Sequence, residues 1–424
     1  MIAAMRSCAV LLAGWAVVPA GLAAFTELAA LPVPDARPAV NPELASDGRG
    51  HFLLVWQHGR NYFEQQESDI YALRLDGDGR ALGPPIPVCV AKGGQERPRV
   101  VFADGAFIVV WHDLRNARDW DVYAARIDAD GSVRDPDGFL LAGGPANQAA
   151  PAIAAAPLGA VVLWQHYAGR HYQVHGAFVP VAGKPGPSRA LTFGGETLHG
   201  GDLAIAGLGE RWLMAWRDER KWGLGEAGGM ITRFYARLGL QGGSLEVRQV
   251  ARAPAVILGR EGGRFVSDGD RTALYAGWGV IGRGRLIPAG AMFAADSAEV
   301  RPNPNAEPML ALSGWDPRRA ITLFSNVLSV EGPVAAAFGE GIFLVAARQA
   351  GSTQPRSPNR ILGARLSPAG VRHDGPDKLP VLHEADVPIA NPVLAAGPGG
   401  FILVFEQDDA ADNRRLFAKK VNFR

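Results

Sequence analysis

The 424-residue chain has only two cysteines, Cys8 and Cys89. Cys8 lies in an N-terminal apolar run, so removal of that segment strands Cys89 and excludes a disulfide framework. Within Ile86-Pro87-Val88-Cys89-Val90, that cysteine reads as a buried, inert thiol rather than a nucleophile. Net charge is equally scarce. Lys and Arg number 43 against 42 Asp and Glu, a formal charge of +1, so no global field would gather nucleic acid or an anionic membrane. Beyond the N-terminus no stretch is long and apolar enough to span a bilayer. Also missing are a Gly-x-Ser-x-Gly elbow, a P-loop, a His-Glu-x-x-His sequence and a sialidase-type Asp-box turn.

Glycine (53), proline (31) and a hydrophobic share of 48% are plentiful. Together they fit an all-β body with a large core and many turns. The first 24 residues read as a secretory signal peptide. Arg6 gives the positive start, Cys8 to Val18 the apolar run, and Ala20, Gly21, Ala23 and Ala24 the small residues at which cleavage occurs. Residues 25–424 are then expected to be one domain, secreted or periplasmic.

Two anchors recur along the chain. The first is a five-residue apolar run: Phe52 to Trp56, Phe107 to Trp111, Ala160 to Trp164, Trp212 to Trp216, Leu274 to Trp278, Ile342 to Ala346 and Phe401 to Phe405. The second is a strand leading to a turn, as in Ala72-Leu73-Arg74-Leu75 before Asp76-Gly77-Asp78-Gly79. Its equivalent positions are Arg74, Arg126, Phe178, Arg237, Met292, Arg365 and Lys420, spaced by 52, 52, 59, 55, 73 and 55 residues. A period above 50 with short strands points to a radial array of sheets. The near-continuous apolar run suits a strand packed on both faces, because a sheet with one wet face would alternate.

A shorter strand precedes each run, opened by Pro42, Pro98, Pro151, Pro333 or Pro392, and proline at a strand's first position costs no ladder bond. A last apolar piece such as Ile86-Pro87-Val88 follows, so each unit reads as a four-stranded meander. The seventh copy lacks its fourth strand, and Leu31-Pro32-Val33 is expected to supply it and close the ring. Extra residues between Met292 and Ala346, around Ser313 to Arg319, leave six or eight units as alternatives to seven.

The segment Asp121-Val122-Tyr123-Ala124-Ala125-Arg126-Ile127-Asp128, with its tryptophan-ended run, resembles the units of bacterial secreted β-propeller repeat proteins. The resemblance implies a seven-bladed β-propeller of four-stranded antiparallel blades. It brings no functional residues with it.

Loops between the two anchors vary most and project on one face, where binding functions usually sit. The candidate ligand-binding residues there are His58, Arg60, Tyr62, His112, Asp113, Arg115, His166, Tyr167, Arg217, Asp218, Arg220 and Trp222. Rings beside Arg, His and carboxylates suit a sugar or a peptide. A plainer reading makes these solvated loops whose Arg–Asp pairs hold the blades. His58, His112 and His166 sit at equivalent or adjacent places after a tryptophan on successive blades, too far apart to share an ion, and the Asp-Gly turns lack the ligands of a calcium loop, so no metal and no cofactor is expected. Asp113, Asp218, Glu219 and Asp408, with His112 or His166, offer weak acid–base material. The expectation is an exported, monomeric, non-catalytic binding or scaffold module taking a protein or glycan partner. The alternative is a secreted carbohydrate-active hydrolase or lyase.

Overall fold

The computed structural model describes residues 24–25, 28–59, 67–168, 171–192, 203–218, 232–252, 263–281, 285–294, 321–324, 330–353, 356–374, 379–409 and 413–423. Among these, every regular element is a β-strand, and no helix is long and apolar enough to cross a membrane. The strands form antiparallel meanders. Blade one runs from the innermost strand outward through Ala39–Ser46, Phe52–His58, Asp69–Leu75 and Ile86–Cys89. Blade two repeats this with Gln95–Ala103, Ala106–Asp113, Asp121–Asp128 and Phe139–Ala142. Blade three uses Gln148–Ala156, Gly159–Ala168, His171–Pro180 and Arg189–Ala190.

The inner strands of the next four sheets are Ala204–Leu208, Arg264–Ser267, Val330–Gly339 and Ile389–Gly397. Each inner strand touches the next, and the last returns to the first, so the sheets close into a ring around a central channel. The chain folds as a β-propeller. Residues 295–320, where extra sequence falls, lie outside the described residues. The inner strands of the sheets flanking that segment contact each other directly.

The seventh sheet is completed from the N-terminus, but one step earlier than expected. Ala24–Phe25 and Ala29–Ala30 pair with Arg414–Asn422, and Leu31 extends the pairing only through its N–H, which donates to the Leu416 carbonyl at 3.0 Å. Pairing the first strand to the last removes an open sheet edge and joins both ends of the chain in one blade.

The apolar runs are the second strands, and in blades one and two they are buried along their whole length. Trp56, Trp111 and Trp164 are among the largest fully buried side chains. Successive residues face opposite neighbours. Leu53 and Val55 pack toward blade two, whereas Leu54 and Trp56 join Ile402 and Val404 of the last blade. This two-sided packing is why the runs do not alternate.

The prolines sit elsewhere than expected. Pro42, Pro98, Pro151, Pro333 and Pro392 do not open their strands; each lies within a bulge inside one. The preceding residues, Asn41, Arg97, Ala150, Gly332 and Asn391, have φ of 53, 52, 50, 77 and 44°. A bulge frees one N–H from the ladder, and the proline within it has none to lose. The freed amides then bond between blades. Asn41 N–H donates to Glu406 Oε1 of the last blade at 2.8 Å, and Ala150 N–H donates to His112 Nδ1 of blade two at 3.2 Å.

Gly138 shows how tightly a blade is filled. Its φ is +69°, and a Cβ there would collide with the Trp111 ring and lie 2.9 Å from the Ala124 carbonyl oxygen. Gly48, at φ +72°, faces open space. Gly138→Ala is therefore expected to lose about 2–5 kcal/mol, combining backbone strain and overpacking, and Gly48→Ala only about 1. Chemical denaturation of the two variants measures the difference; equal losses would mean that the Trp111 contact is not limiting.

Candidate functional site

The second-to-third-strand loops and the links between blades open on one face around the channel mouth. On that face the residue directly after each tryptophan-type anchor reaches the next blade. Gln57 Oε1 accepts from Asn41 Nδ2 of its own blade at 2.9 Å and from the Arg97 N–H of blade two at 3.5 Å, and Glu406 Oε1 accepts from Asn391 Nδ2 of its own blade at 2.6 Å and from the Asn41 N–H of blade one at 2.8 Å. His112 occupies the same place in blade two, and its bond from Ala150 N–H makes Nδ1 the acceptor, leaving the proton on Nε2. That Nε2 lies 3.6 Å from Glu96 Oε2, too long for a good hydrogen bond. Burial holds the imidazole below its ordinary 6.5, opposed by Glu96 and assisted by Arg97 and Arg99. The Trp120 ring lies over it at 4.5 Å.

The next residue along also turns inward. His58 is fully buried, with Nε2 2.9 Å from Asp35 Oδ1. Asp113 is fully buried too. It accepts from Trp111 Nε1 at 2.8 Å and takes a bidentate grip from Arg115, at 2.9 Å from Nε and 2.7 Å from Nη2. Arg115 in turn lies 3.8 Å over the Tyr123 ring. Its Nη2 also reaches Cys89 Sγ at 3.1 Å. Cys89 is free and buried, its thiol pushed up to about 12 chiefly by that burial. Asp408 pairs with Arg414 at 2.6 Å, and Asp409 with Arg415 at 3.3 Å. These carboxylates are neutralised by arginines of their own blades.

Blade three departs from the pattern. Its second and third strands stay paired out to Ala168 and His171, forming the hairpin Gly159–Ala168 and His171–Pro180. Outward from Trp164 this hairpin carries half-buried rings. His166 and His175 stand 4.5 Å apart, and Tyr167 and Tyr172 stand 4.9 Å apart. His166 Nδ1 meets Gln148 Nε2 at 3.2 Å. His175 is lowered to about 4 by desolvation and then by the facing His166. The hairpin and Trp120 give one arc of the face an aromatic surface.

The sequence-derived candidates therefore separate. His58, His112 and Asp113 lie inside the blades, Arg115 braces one of them, and His166 and Tyr167 stand on the projecting hairpin. Arg60, Tyr62, Arg220 and Trp222 lie outside the described residues. Arg217 and Asp218 pair through their backbones with Arg233 and Thr232, and their side chains are not described. Sequence reasoning placed Tyr172 and Trp120 in the variable segments of this face without choosing them as ligand-binding residues, and it passed over His175. It also missed Glu43 and Arg99, whose signal was a charge directly after the strand proline, where blade three has Ala152 and the last blade Val393. Among the described residues no group of three or more His, Cys, Asp or Glu could hold a metal ion.

No protein-family model matches the chain, and no curated protein matches it. Its likeness is to solved structures. One is a protein of unknown function from Dyadobacter fermentans, with TM-score 0.51 and 12% identity over 95% of this chain and 99% of that one. Another is an ulvan lyase of a polysaccharide lyase family, with TM-score 0.53 and 9% identity over 92% and 95%. At such identities the likeness is one of fold.

His112→Gln keeps an acceptor for the Ala150 amide, as Gln57 does for its own neighbour, and removes the titrating ring. The folded state resists protonating His112, so its contribution to stability is full above about pH 6.5 and shrinks as pH falls through that value toward the lower folded pKa. His112→Gln should match the native protein's melting temperature at pH 7.5 and lose less of it by pH 5. An unchanged or steeper acid loss would show that His112 titrates as freely as in the unfolded chain.

Proposed function

We propose that this protein is an exported, monomeric, non-catalytic binding module that takes a glycan on its loop face, with a protein chain as the other class of partner. One observation carries the reading: Asp113 and Asp408, the two sequence-derived acid–base carboxylates whose side chains the structure describes, are each bound to an arginine of the same blade. A carboxylate gripped in this way has its oxygens occupied, whereas glycoside hydrolysis needs two free carboxyl groups facing one bond. The aromatic arc of Trp120, Tyr167 and Tyr172 supplies what a binding face needs instead, rigid rings that stack on sugar faces at little entropic cost. Export is supported by the signal-like segment around Arg6 and the apolar run after it.

A second reading, a carbohydrate-active hydrolase or lyase, is favoured by Glu96 beside the neutral His112 at the channel mouth. Arg97 stands next in sequence, and Glu96 is the group that would take a proton there, because the one lone pair of the neutral His112 ring already accepts from the Ala150 N–H. The fold likeness to a polysaccharide lyase is compatible with this reading and does not select it.

A glycan panel screened for binding and for cleavage separates the two. Binding is expected without new reducing ends or unsaturated products, and Tyr167→Ala and Tyr172→Ala should each weaken it by about tenfold. Cleavage products that vanish in Glu96→Gln would overturn the binding-module reading in favour of the enzyme.

A further inference from the structure

Below the channel mouth the inner strands bring charge to a place where charge is costly. Glu43 leaves blade one directly after its bulge, and Arg99 leaves blade two at the matching position. Arg264 comes from the fifth sheet, whose inner strand has no place beside that of blade one; the latter's neighbours are blade two and the last blade. The contact between Arg264 and Glu43 therefore crosses the channel. Arg264 grips both carboxylate oxygens, with Nη1 2.9 Å from Oε1 and Nη2 2.6 Å from Oε2, while Arg99 Nη1 reaches Oε2 at 2.8 Å.

Two guanidiniums thus share one carboxylate. Adding the neighbouring Arg97 and Glu96 gives three positive and two negative groups, a surplus of one positive charge. Burial first, and then Arg264 facing it, lower Arg99 to about 10, with Arg97 adding to the effect. Water still reaches the pair: the Arg99 and Arg264 side chains are 33% and 26% exposed, although Glu43 is only 12% exposed. At this level blades three and four and the last blade present small or apolar residues, Ala152, Ala204 and Val393. Cohesion of the ring does not call for this arrangement, since the inter-blade amide bonds and the buried second strands already supply it. Opposed arginines with a planar fork are, however, the usual means of holding an oxyanion.

We infer that the channel contains a receptor for one oxyanion group, a carboxylate or a sulfate, clamped by Arg99 and Arg264, with Glu43 as an internal counter-ion that the ligand's anion displaces. The inference stands without the aromatic hairpin, so it survives if no neutral glycan binds the loop face. If a glycan does bind there, an acidic substituent is the part that would enter the channel.

The test uses the full-length protein with sulfate and with acetate, each titrated at constant ionic strength against chloride and read by thermal melting and calorimetry. Glu43→Gln vacates the clamp and should bind oxyanion about tenfold more tightly than the native protein, a difference of about 1.4 kcal/mol. Arg264→Gln leaves a neutral one-to-one pair and should bind less than the native protein. Preference between sulfate and acetate identifies the ligand group. No stabilisation of Glu43→Gln beyond that given by chloride, or undiminished binding by Arg264→Gln, would overturn the site and leave the three residues as a brace. Should Glu43→Gln fail to fold, the comparison of native protein with Arg264→Gln decides alone.

Discussion

Everything in this molecule depends on the second strand of each blade being buried on both faces. A strand in that position cannot alternate, must end its run with something large enough to fill the gap to the next blade, and leaves its last residues facing the channel mouth. Trp56, Trp111 and Trp164 meet the second requirement. The polar residues after them meet a requirement of their own, because the inner-strand bulges release backbone amides that need acceptors. Gln57, His112 and Glu406 differ in chemistry and share that geometry, accepting from the Arg97, Ala150 and Asn41 N–H groups. The loop face is therefore built on positions already engaged in holding the ring.

This engagement limits what the face can do. A fully buried Asp113 bonded to Trp111 and Arg115 is a structural element first, and its removal would leave a half-buried guanidinium and a buried indole N–H short of a partner. The freedom to evolve a ligand site lies one layer farther out, in the blade-three hairpin, or one layer farther in, on the inner strands. Those are the places where this chain departs from its own repeat.

The repeat itself was legible in the sequence. Runs ending in tryptophan and a spacing above 50 residues led to the four-stranded antiparallel blades, since side-chain period and turn chemistry are local properties. The bulges were not legible, because proline at the start of a strand and proline within a bulge look alike until register is known. The same limit applied to the site. His58 and Asp113 carry the residue types of a binding surface, and only the pairing register shows them turned inward. Cross-channel contact between Glu43 and Arg264 joins residues 221 apart in sequence, and nothing local announces such a meeting. A charged residue after the strand proline, where other copies keep alanine or valine, was the one available sign.

The claim at the centre of this account is that the carboxylates of the loop face serve the ring and not a reaction. A double-mutant cycle on Asp113 and Arg115, using Asp113→Asn and Arg115→Gln, tests it most directly, with stability from chemical denaturation and glycan binding followed in parallel. The account predicts a coupling of about 1–3 kcal/mol in stability, with binding retained in every variant that folds. Uncoupled stabilities, together with a glycan-cleaving activity that disappears on Asp113→Asn, would contradict it.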